Sequence, residues 1–446
     1  MSDEYLLYGT LSSGSKADGL LTVCKLDTTT PIRTFKQNGS FCNRTAVIDA
    51  SILSAQSDRP IINSYSITKE APMQKLILQE KLSCMVASHS RKLLAAGTHT
   101  GKLIVWELGS GACLIYKDIH FGSISCLVFS QDDSVLFSAG SDARIYSWRT
   151  AELCNAHLNY MDVQPLESAN QHSLEVTGLF CGLGGILDSR LYSISLDGSC
   201  RVWNASDLRL QTTYVFKEAL LSIVVDPAER AIYAGTDDGV IYHVDLYRQS
   251  REGAGLEYTG GLQRVVEVST ESSVKFTQHT GKVLSLDLSF DSTLLVSGSE
   301  DGTVIVWDIA THQVLKKIKP GRGAVYLAKV LEKLPSEHYI RHESLRFSYD
   351  ASYASSHDVW LDIPESGESH VAYSISNVEH FGPEAITVAN AGEAISAIDQ
   401  GSNEKEDLRA KVEKLSAAYN ALWETYSTTV GLKENGDPQD LEDAAK

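Results

Sequence analysis

The chain has 446 residues, of which 43% are hydrophobic, so it can bury the core of one large domain and still carry extensions. Its formal net charge of −18 argues against a free-standing protein that binds naked RNA or DNA, because such proteins present a basic surface. The acidic N-terminus has no signal-peptide pattern and no apolar run reaches membrane-spanning length, so the sequence predicts neither secretion nor a membrane partner.

Short predicted strands begin the chain, near residues 5–10, 20–26 and 31–35. They have the lengths and turn spacing of the second, third and fourth strands of a four-stranded unit whose first strand is missing. Cys24, in the middle one of the three, stands at the position where several later units have a Trp. A second unit of four short strands follows at about 45–78.

Five more units of this kind are predicted. The third, at 83–117, ends its third strand with Trp106, and the fourth and fifth end theirs with Trp148 and Trp203. The sixth, at 220–246, has Val244 at the Trp position. The last unit ends its third strand with Trp307. A polar stretch at 149–171 is predicted to connect the fourth unit to the fifth, and a Gly-rich, charged insertion at 248–275 separates the sixth unit from the seventh.

A spacing of four residues recurs in three of these units. An Asp lies six residues before the Trp and a Ser lies ten before it, while a His lies twenty-eight before it in two units and thirty-one before it in the third. The short Gly-rich loop at 182–185 accounts for the three additional residues. The sets are His120, Ser138, Asp142 and Trp148; His172, Ser193, Asp197 and Trp203; and His279, Ser297, Asp301 and Trp307.

The physical reason for such a tetrad is a hydrogen-bond relay. The Asp accepts from the His, the His orders the Ser hydroxyl, and the Ser meets the indole N–H, each link contributing roughly 1 kcal/mol. Strand–turn–strand units that end in Trp-Asp after an upstream His are typical of WD-repeat propeller blades. A Ser, His and Asp set could also form a hydrolase triad, but the threefold repetition and the mid-strand position of the Ser favour the structural interpretation.

The predicted fold class is therefore all-β, a seven-bladed WD-repeat β-propeller over residues 1–334 with a C-terminal heptad α-helix. The strand predicted at 324–331 has no hairpin partner of its own. It fits the missing inner strand of the first blade, so the ring is expected to close through strands near 5–36 and 324–331. Closure of this kind removes exposed sheet edges.

The residues after the ring follow a different pattern. An irregular extension packed on the propeller is predicted at 335–402, a coiled-coil-like helix at 403–431 and an acidic disordered tail at 432–446. Steps of four and three residues place apolar side chains on one narrow stripe of the helix, with a Trp beside it. We interpret this stripe as an assembly helix, although packing on its own propeller stays an alternative. Its residues are Leu408, Val412, Leu415, Tyr419, Leu422, Trp423 and Tyr426.

Other residues yield no catalytic, cofactor or metal-binding constellation, which favours a scaffold over an enzyme. The eight cysteines include no Cys-x-x-Cys pair and are expected to be reduced core residues of an intracellular protein. One compact basic cluster lies at 316–322. A solvated strand end is the favoured interpretation of this cluster, and a nuclear-import or RNA-backbone patch is the alternative.

Several features together resemble the WD-repeat subunit of the Rix complex, a ribosome-maturation family whose vertebrate member is WD-repeat protein eighteen. They are the acidic propeller, the string GKLIVWELGSG at 101–111, the partly eroded repeats, the extension after the last blade, and the terminal helix with Leu422, Trp423 and Glu424. The resemblance implies a non-enzymatic scaffold in the nucleus, both nucleoplasm and nucleolus. This scaffold would act on the pre-ribosomal large subunit particle.

The resemblance also implies partners. They are a Rix-type scaffold subunit, a second copy of the chain bound through the C-terminal helix as a homodimer and, indirectly, a dynein-like AAA ATPase. The implied role is maturation of large-subunit precursors, including processing of the internal transcribed spacer and ATPase-driven remodelling. The alternative is a cytoplasmic WD-repeat adaptor, such as a ubiquitin-ligase substrate receptor, with a basic or aromatic peptide pocket at the channel of the ring.

Overall fold

The structure, a computed structural model, describes residues 4–11, 19–36, 44–48, 51–66, 69–154, 163–249, 256–268, 274–321 and 323–331. Together these ranges make up a ring of β-sheets. The predicted extension at 335–402, the helix at 403–431 with its stripe of apolar residues, and the tail at 432–446 lie outside the described residues.

Seven sheets, antiparallel except for one added strand in the fifth, are arranged as blades around a central channel. The first strands of neighbouring blades contact each other around this channel, and the fourth strands lie on the outer rim. The second strands are almost wholly buried because both of their sides pack against other blades, whereas the inner strands keep half-exposed residues along the channel. For example, all six residues of Leu93–Thr98 are buried, whereas the outer strand Val314–Ile318 is mostly exposed.

The first three blades begin with strands that match the predicted segments closely. The first blade contributes β1 (Tyr5–Leu11), β2 (Leu20–Lys25) and β3 (Pro31–Phe35). The second blade contains β4 (Thr45–Ile48), β5 (Ser51–Ala55), β6 (Ile61–Ser66) and β7 (Gln74–Ile77). The third contains β8 (Leu82–Ala87), β9 (Leu93–Thr98), β10 (Lys102–Glu107) and β11 (Cys113–Asp118).

The fourth blade corrects the prediction of a plain connector at 149–171. Its first three strands are β12 (Ile124–Phe129), β13 (Val135–Gly140) and β14 (Ile145–Arg149). The stretch then forms a short helix, α1 (Thr150–Cys154), and the outer strand β15 (Glu167–Ala169), which pairs with β14. A strand of three residues has no alternation long enough to be seen in a sequence.

The fifth and sixth blades each gain a strand from the segment predicted as an insertion. The fifth has β16 (Val176–Cys181), β17 (Arg190–Ser195), β18 (Ser199–Asn204) and β19 (Leu210–Val215). The sixth has β20 (Leu220–Val225), β21 (Ala231–Thr236) and β22 (Ile241–Asp245). The chain then forms a separate hairpin of β23 (Tyr247–Gln249) and β24 (Leu256–Tyr258), followed by β25 (Arg264–Glu267) and β26 (Val274–Phe276).

The segment predicted as an insertion, 248–275, therefore carries structural strands of both neighbours. β25 pairs in parallel with β19 and becomes a fifth strand of the fifth blade. β26 pairs with β22 and supplies the outer strand that the sixth blade otherwise lacks. The sixth blade thus ends at residue 276, thirty residues beyond the end predicted from the sequence, 246.

The seventh blade and the closing strand complete the ring. The blade consists of β27 (Val283–Leu288), β28 (Leu294–Ser299), β29 (Val304–Asp308) and β30 (Val314–Ile318). The next strand, β31 (Ala324–Leu331), pairs antiparallel with β1 and becomes the inner strand of the first blade. The register joins Tyr5 to Leu331 and Thr10 to Val325, with one irregularity after Gly9.

The core is divided into seven buried clusters, each between two neighbouring blades of the described ring. Each buried tryptophan packs toward the preceding blade, as Trp106 does in the cluster shared by the second and third blades. Small residues allow the close approach. A Cβ added at Gly97 would lie 2.6 Å from Cβ of Ile124 in the next blade, so a larger residue there would push the blades apart.

Candidate functional site

The fourth blade joins its tetrad residues in one hydrogen-bonded chain. His120 Nδ1 lies 2.9 Å from Asp142 Oδ1, and His120 Nε2 lies 3.0 Å from Ser138 Oγ. The indole N–H of Trp148 donates to the same Ser138 Oγ at 3.0 Å. Because this hydroxyl accepts the indole N–H, it can donate its own proton to His120 Nε2. The pattern assigns the imidazole proton to Nδ1, from which it is donated to the carboxylate.

The fifth and seventh blades repeat this arrangement. The distances from Nδ1 to the carboxylate, from Nε2 to the hydroxyl and from the indole to the hydroxyl are 3.1, 2.7 and 2.8 Å in the fifth blade. They are again 3.1, 2.7 and 2.8 Å in the seventh. The residues are His172, Asp197, Ser193 and Trp203 in the fifth blade, and His279, Asp301, Ser297 and Trp307 in the seventh.

The electrostatics of the seventh-blade tetrad keep the histidine neutral and the aspartate ionised. Burial would raise the pKa of the Asp301 carboxyl, but hydrogen bonds from Thr303, from the backbone N–H of Thr280 and from His279 outweigh burial and hold that pKa below its ordinary value. Burial lowers the pKa of His279, and the nearby carboxylate opposes only part of this effect. The pair therefore acts as a neutral donor and a charged acceptor at neutral pH.

Burial removes the tetrad serines as candidate hydrolase nucleophiles. Ser138, Ser193 and Ser297 are each 0% exposed, and each hydroxyl already accepts the indole N–H. A nucleophile must reach the substrate, and these oxygens lie inside a sheet. The tetrads therefore serve to join strands and loops within their blades.

In the third blade another polar network lies where a complete tetrad would be. Trp106 is fully buried, and Ala96 and Thr100 occupy the Ser and Asp positions. Thr100 Oγ1 and Lys102 Nζ each donate to Glu80 at 2.5 Å. Burial opposes ionisation of Glu80, but the hydrogen bonds from Lys102 and Thr100 prevail and lower its pKa to about 2. This partly exposed network lies just before the inner strand of the blade and joins it to the second and third strands.

In the second blade, whose sequence has no tetrad, Tyr65 occupies the Trp position of the register. The Tyr65 hydroxyl donates to the carbonyl of Lys36 at 3.1 Å and accepts from the amide of Asn63 at 3.1 Å. Its ring lies 5.3 Å from that of Phe35. Because Phe35 and Lys36 belong to the first blade and its exit, this tyrosine joins the first two blades.

A series of side-chain hydroxyl groups joins the inner strands of neighbouring blades. The tetrad spacing did not predict these hydrogen bonds. Each hydroxyl lies at or beside the irregularity in its strand and donates to a carbonyl of the next blade. These bonds cross five of the blade junctions in the described ring. The donors and acceptors are Ser83 to Ile124, Ser125 to Val176, Thr177 to Leu220 at 2.7 Å, Ser222 to Val283 at 3.0 Å, and Ser285 to Ala328 at 2.9 Å. The signal in the sequence is a lone Ser or Thr near the start of each of these five apolar inner strands.

Carboxylates connect the blades on the turn face, which we define as the face that carries the turns between first and second strands. The tetrad face, with the tetrad His and Asp residues, is the opposite one. Asp133 accepts from the backbone N–H groups of His89 and Ser90 at 2.8 and 2.6 Å. Arg190 pairs with Glu229 at 2.9 Å. Together with the hydroxyl groups, these contacts tie neighbouring blades to one another.

The central channel has a volume of about 510 Å³ and is lined by the inner strands of all seven blades. The half-buried Phe180 contributes aromatic surface, while Asp287 and Lys329 contribute charges of opposite sign. Asp287 Oδ2 accepts the backbone N–H of Val330 at 2.7 Å, so this carboxyl joins the seventh blade to the closing strand. The lining is thus neither uniformly basic nor uniformly acidic.

The basic cluster at 316–322 takes part in ring closure. The Lys316 ammonium donates to the carbonyl of Leu26 at 3.0 Å and to that of Asp27, both in the first blade. Lys317 is exposed in the outer strand. Arg322 lies outside the described residues.

The described cysteines all carry free thiols, and most are buried. Burial raises the pKa of the Cys113 thiol to about 12, so it is not a reactive thiolate. Within the described ranges, no group of three or more His, Cys, Asp or Glu side chains could hold a metal ion. No helix among the described residues has the length and apolar character needed to cross a membrane.

Comparisons with known proteins agree with this architecture. Residues 112–149 and 270–308 match the family described as WD domain, G-beta repeat. The pre-rRNA-processing protein crb3/ipi3 of Schizosaccharomyces pombe is 29% identical, with 90% of this chain and 94% of that protein covered. The pre-rRNA-processing protein IPI3 of Yarrowia lipolytica is 31% identical, with coverage of 84% and 88%. Human WD repeat-containing protein 18 is 27% identical, with coverage of 63% and 62%.

The similarity to the Schizosaccharomyces pombe protein extends beyond the ring. The ring ends at Leu331 of 446 residues, about three quarters of the chain. A coverage of 90% is therefore more than the ring alone can supply. The similarity to the fungal proteins includes residues beyond the last blade.

Proposed function

Because the chain belongs to the Ipi3 family of pre-rRNA-processing proteins, we propose that it is a non-enzymatic scaffold subunit of a nuclear complex that matures large ribosomal subunit precursors. The complex supports processing of the rRNA internal transcribed spacer and remodelling by a dynein-like AAA ATPase. The observation that carries the proposal is similarity along most of the chain to relatives named for pre-rRNA processing.

The architecture of the ring supports a scaffold. Side-chain hydrogen bonds cross from blade to blade at the channel and on the turn face, and they tie neighbouring blades together. A rigid surface binds partners with little loss of conformational entropy. The tetrad serines, the residues that would have suited a hydrolase, are fully buried.

The assembly we propose has two kinds of contact. The ring binds a Rix-type scaffold subunit, and the helix at 403–431 pairs two copies through its apolar stripe from Leu408 to Tyr426. A narrow stripe of this kind suits a coiled-coil partner better than a flat protein surface. The acidic charge of −18 favours association with the pre-ribosomal particle through its proteins rather than through naked RNA.

Depletion and rescue in the native organism test this function. Loss of the chain should cause accumulation of precursor rRNA that still contains the internal transcribed spacer, and wild-type chain should restore processing. A Leu415→Asp, Leu422→Asp variant should restore it only partly, because dimer pairing is lost. Normal spacer processing after complete depletion would contradict the proposal. A stabilised ubiquitin-ligase substrate in the same cells would favour the cytoplasmic adaptor instead.

A further inference from the structure

Phe121 has the greatest exposure of any large hydrophobic side chain in the described chain, at 90%. It directly follows the tetrad residue His120 on the tetrad face. Its backbone N–H donates to Asp142 Oδ2 at 3.3 Å, so the tetrad holds its main chain in place. At the next position there is little room for a side chain, because a Cβ added at Gly122 would lie 2.3 Å from the Ser141 hydroxyl. The aromatic ring is thus presented to solvent on a loop whose main chain is hydrogen-bonded to the tetrad.

Arg144 lies over this ring and is also held by the tetrad. Its guanidinium carbon is 5.9 Å from the centre of the Phe121 ring, within the range of a cation–π contact. Its backbone N–H donates to Asp142 Oδ1 at 3.2 Å, and its guanidinium donates to the Tyr146 hydroxyl at 3.3 Å. The Tyr146 ring in turn contacts the edge of His120, with centroids 4.9 Å apart.

The other two tetrads have no such cluster. At the position of Phe121 they have Ser173 and Thr280, and at the position of Arg144 they have Ser199 and Thr303. The hydroxyls of Ser199 and Thr303 turn inward and donate to their own tetrad carboxylates, both at 2.6 Å. A tetrad therefore does not need an exposed aromatic ring or an arginine beside it. Their presence in the fourth blade calls for a contact outside the ring.

We propose that Phe121 and Arg144 form the docking point for a protein partner that offers an apolar pocket bordered by a carboxylate. An aromatic ring and an arginine that are already fixed in position are the residues that dominate protein interfaces. The guanidinium fits a carboxylate in a two-pronged geometry. Leu174, 52% exposed in the corresponding loop of the next blade, is a second exposed apolar side chain on this face.

The overall charge favours a protein partner over RNA. With a net charge of −18, the chain lacks the positive field that draws nucleic acid to an isolated arginine. This inference rests on the proposed function in one respect. The partner used to test it is the Rix-type subunit.

The experiment measures binding of the full chain to the purified Rix-type subunit of the same organism by calorimetry. Phe121→Ala and Arg144→Glu should each weaken binding by about 10- to 100-fold, as loss of a central interface residue does. Phe290→Ala is the matched control. Phe290 is 68% exposed on the turn face, and its backbone N–H also donates to a carboxylate, that of Glu4, at 3.0 Å. This control should bind within about twofold of wild type.

Each outcome decides between the two proposals. Wild-type affinity in both Phe121→Ala and Arg144→Glu would overturn the docking point and leave the scaffold function intact. Loss of binding in Phe290→Ala alone would overturn it as well and place the interface on the turn face. Failure of the wild-type chain to bind the subunit would overturn both proposals. If the two variants bound the subunit normally but lost affinity for a single-stranded rRNA spacer probe, the site would be an RNA contact and the inference would be wrong.

Discussion

Replacing Ser297 by alanine removes the hydroxyl that joins His279 to Trp307 in the seventh blade. The hydroxyl is 0% exposed, accepts the indole N–H at 2.8 Å and lies 2.7 Å from the imidazole nitrogen. The small cavity costs little, but two buried nitrogen atoms lose their partner. A buried polar group without a partner costs about 1–3 kcal/mol. We therefore expect Ser297→Ala to lower the free energy of unfolding by about 2–4 kcal/mol, allowing for partial relaxation.

A double-mutant cycle with Trp307→Phe isolates the relay from the packing. Phenylalanine keeps most of the apolar contact with Phe276, whose ring centre lies 5.1 Å from that of Trp307, but it has no N–H. In the Trp307→Phe background, Ser297→Ala leaves only the His279 nitrogen without its partner. It should therefore lower the free energy of unfolding by less than it does in the wild-type chain. The coupling energy should be about 1 kcal/mol or more. Urea unfolding followed by circular dichroism measures it, provided that the slope with denaturant is unchanged between variants.

The control substitution is Thr311→Ala in the same blade. Thr311 is exposed and donates only to the Asp308 carboxylate at 2.8 Å, so its loss should cost no more than about 0.5 kcal/mol. A cost of Ser297→Ala as small as that of the control, or strictly additive costs in the cycle, would refute the relay.

Three further predictions concern closure, pH and assembly. Ser285→Ala should lower the free energy of unfolding by about 1–3 kcal/mol, because the Ser285 hydroxyl accepts the Ala328 N–H and donates to the Ala328 carbonyl, both at 2.9 Å. A chemical denaturation curve that matched wild type would show that β31 is held by its pairing with β1 alone. Acid should destabilise the ring in two steps. Because burial lowers the pKa of His172 and His279 from 6.5, the unfolded chain binds protons first and stability falls below about pH 6.5. Hydrogen bonds outweigh burial and lower the pKa of the Asp142 and Asp301 carboxyls from 3.8, so a further loss of stability follows below about pH 3.8. A melting temperature that stayed constant from pH 8 to about pH 5 would contradict the first step, the one caused by the histidines. Leu415→Asp with Leu422→Asp should convert a dimer to a monomer in light scattering at an unchanged melting temperature, whereas an unchanged mass would contradict the assembly helix.

The sequence located the blades well because the tetrad residues recur at fixed offsets from each Trp. Their spacing follows from the lengths of the strands and turns between them, and in the structure the members of each set lie within hydrogen-bond distance of one another. The second blade, which lacks a tetrad, was recognisable from its short alternating strands. The strand at 324–331 stood out because it had no neighbour along the chain.

Other parts of the fold carry no comparable signal. The outer strands Glu167–Ala169 and Val274–Phe276 are too short for alternation and lie inside polar stretches. The parallel pairing of Arg264–Glu267 with the fifth blade joins residues about fifty positions apart, and no local pattern encodes it. The hydroxyls between inner strands escape notice because one Ser in an apolar strand resembles ordinary alternation. No repeated spacing in the sequence marks Phe121, and only its surroundings in the structure distinguish it.

The scaffold account is tested most directly by purifying the tagged full-length chain from its native cells and measuring the RNA and protein bound to it. The account predicts a Rix-type subunit in near-stoichiometric amount, together with precursor rRNA that contains the internal transcribed spacer and with large-subunit proteins. Recovery of the chain without spacer-containing rRNA and without that subunit, under conditions that preserve pre-ribosomal particles, would contradict it.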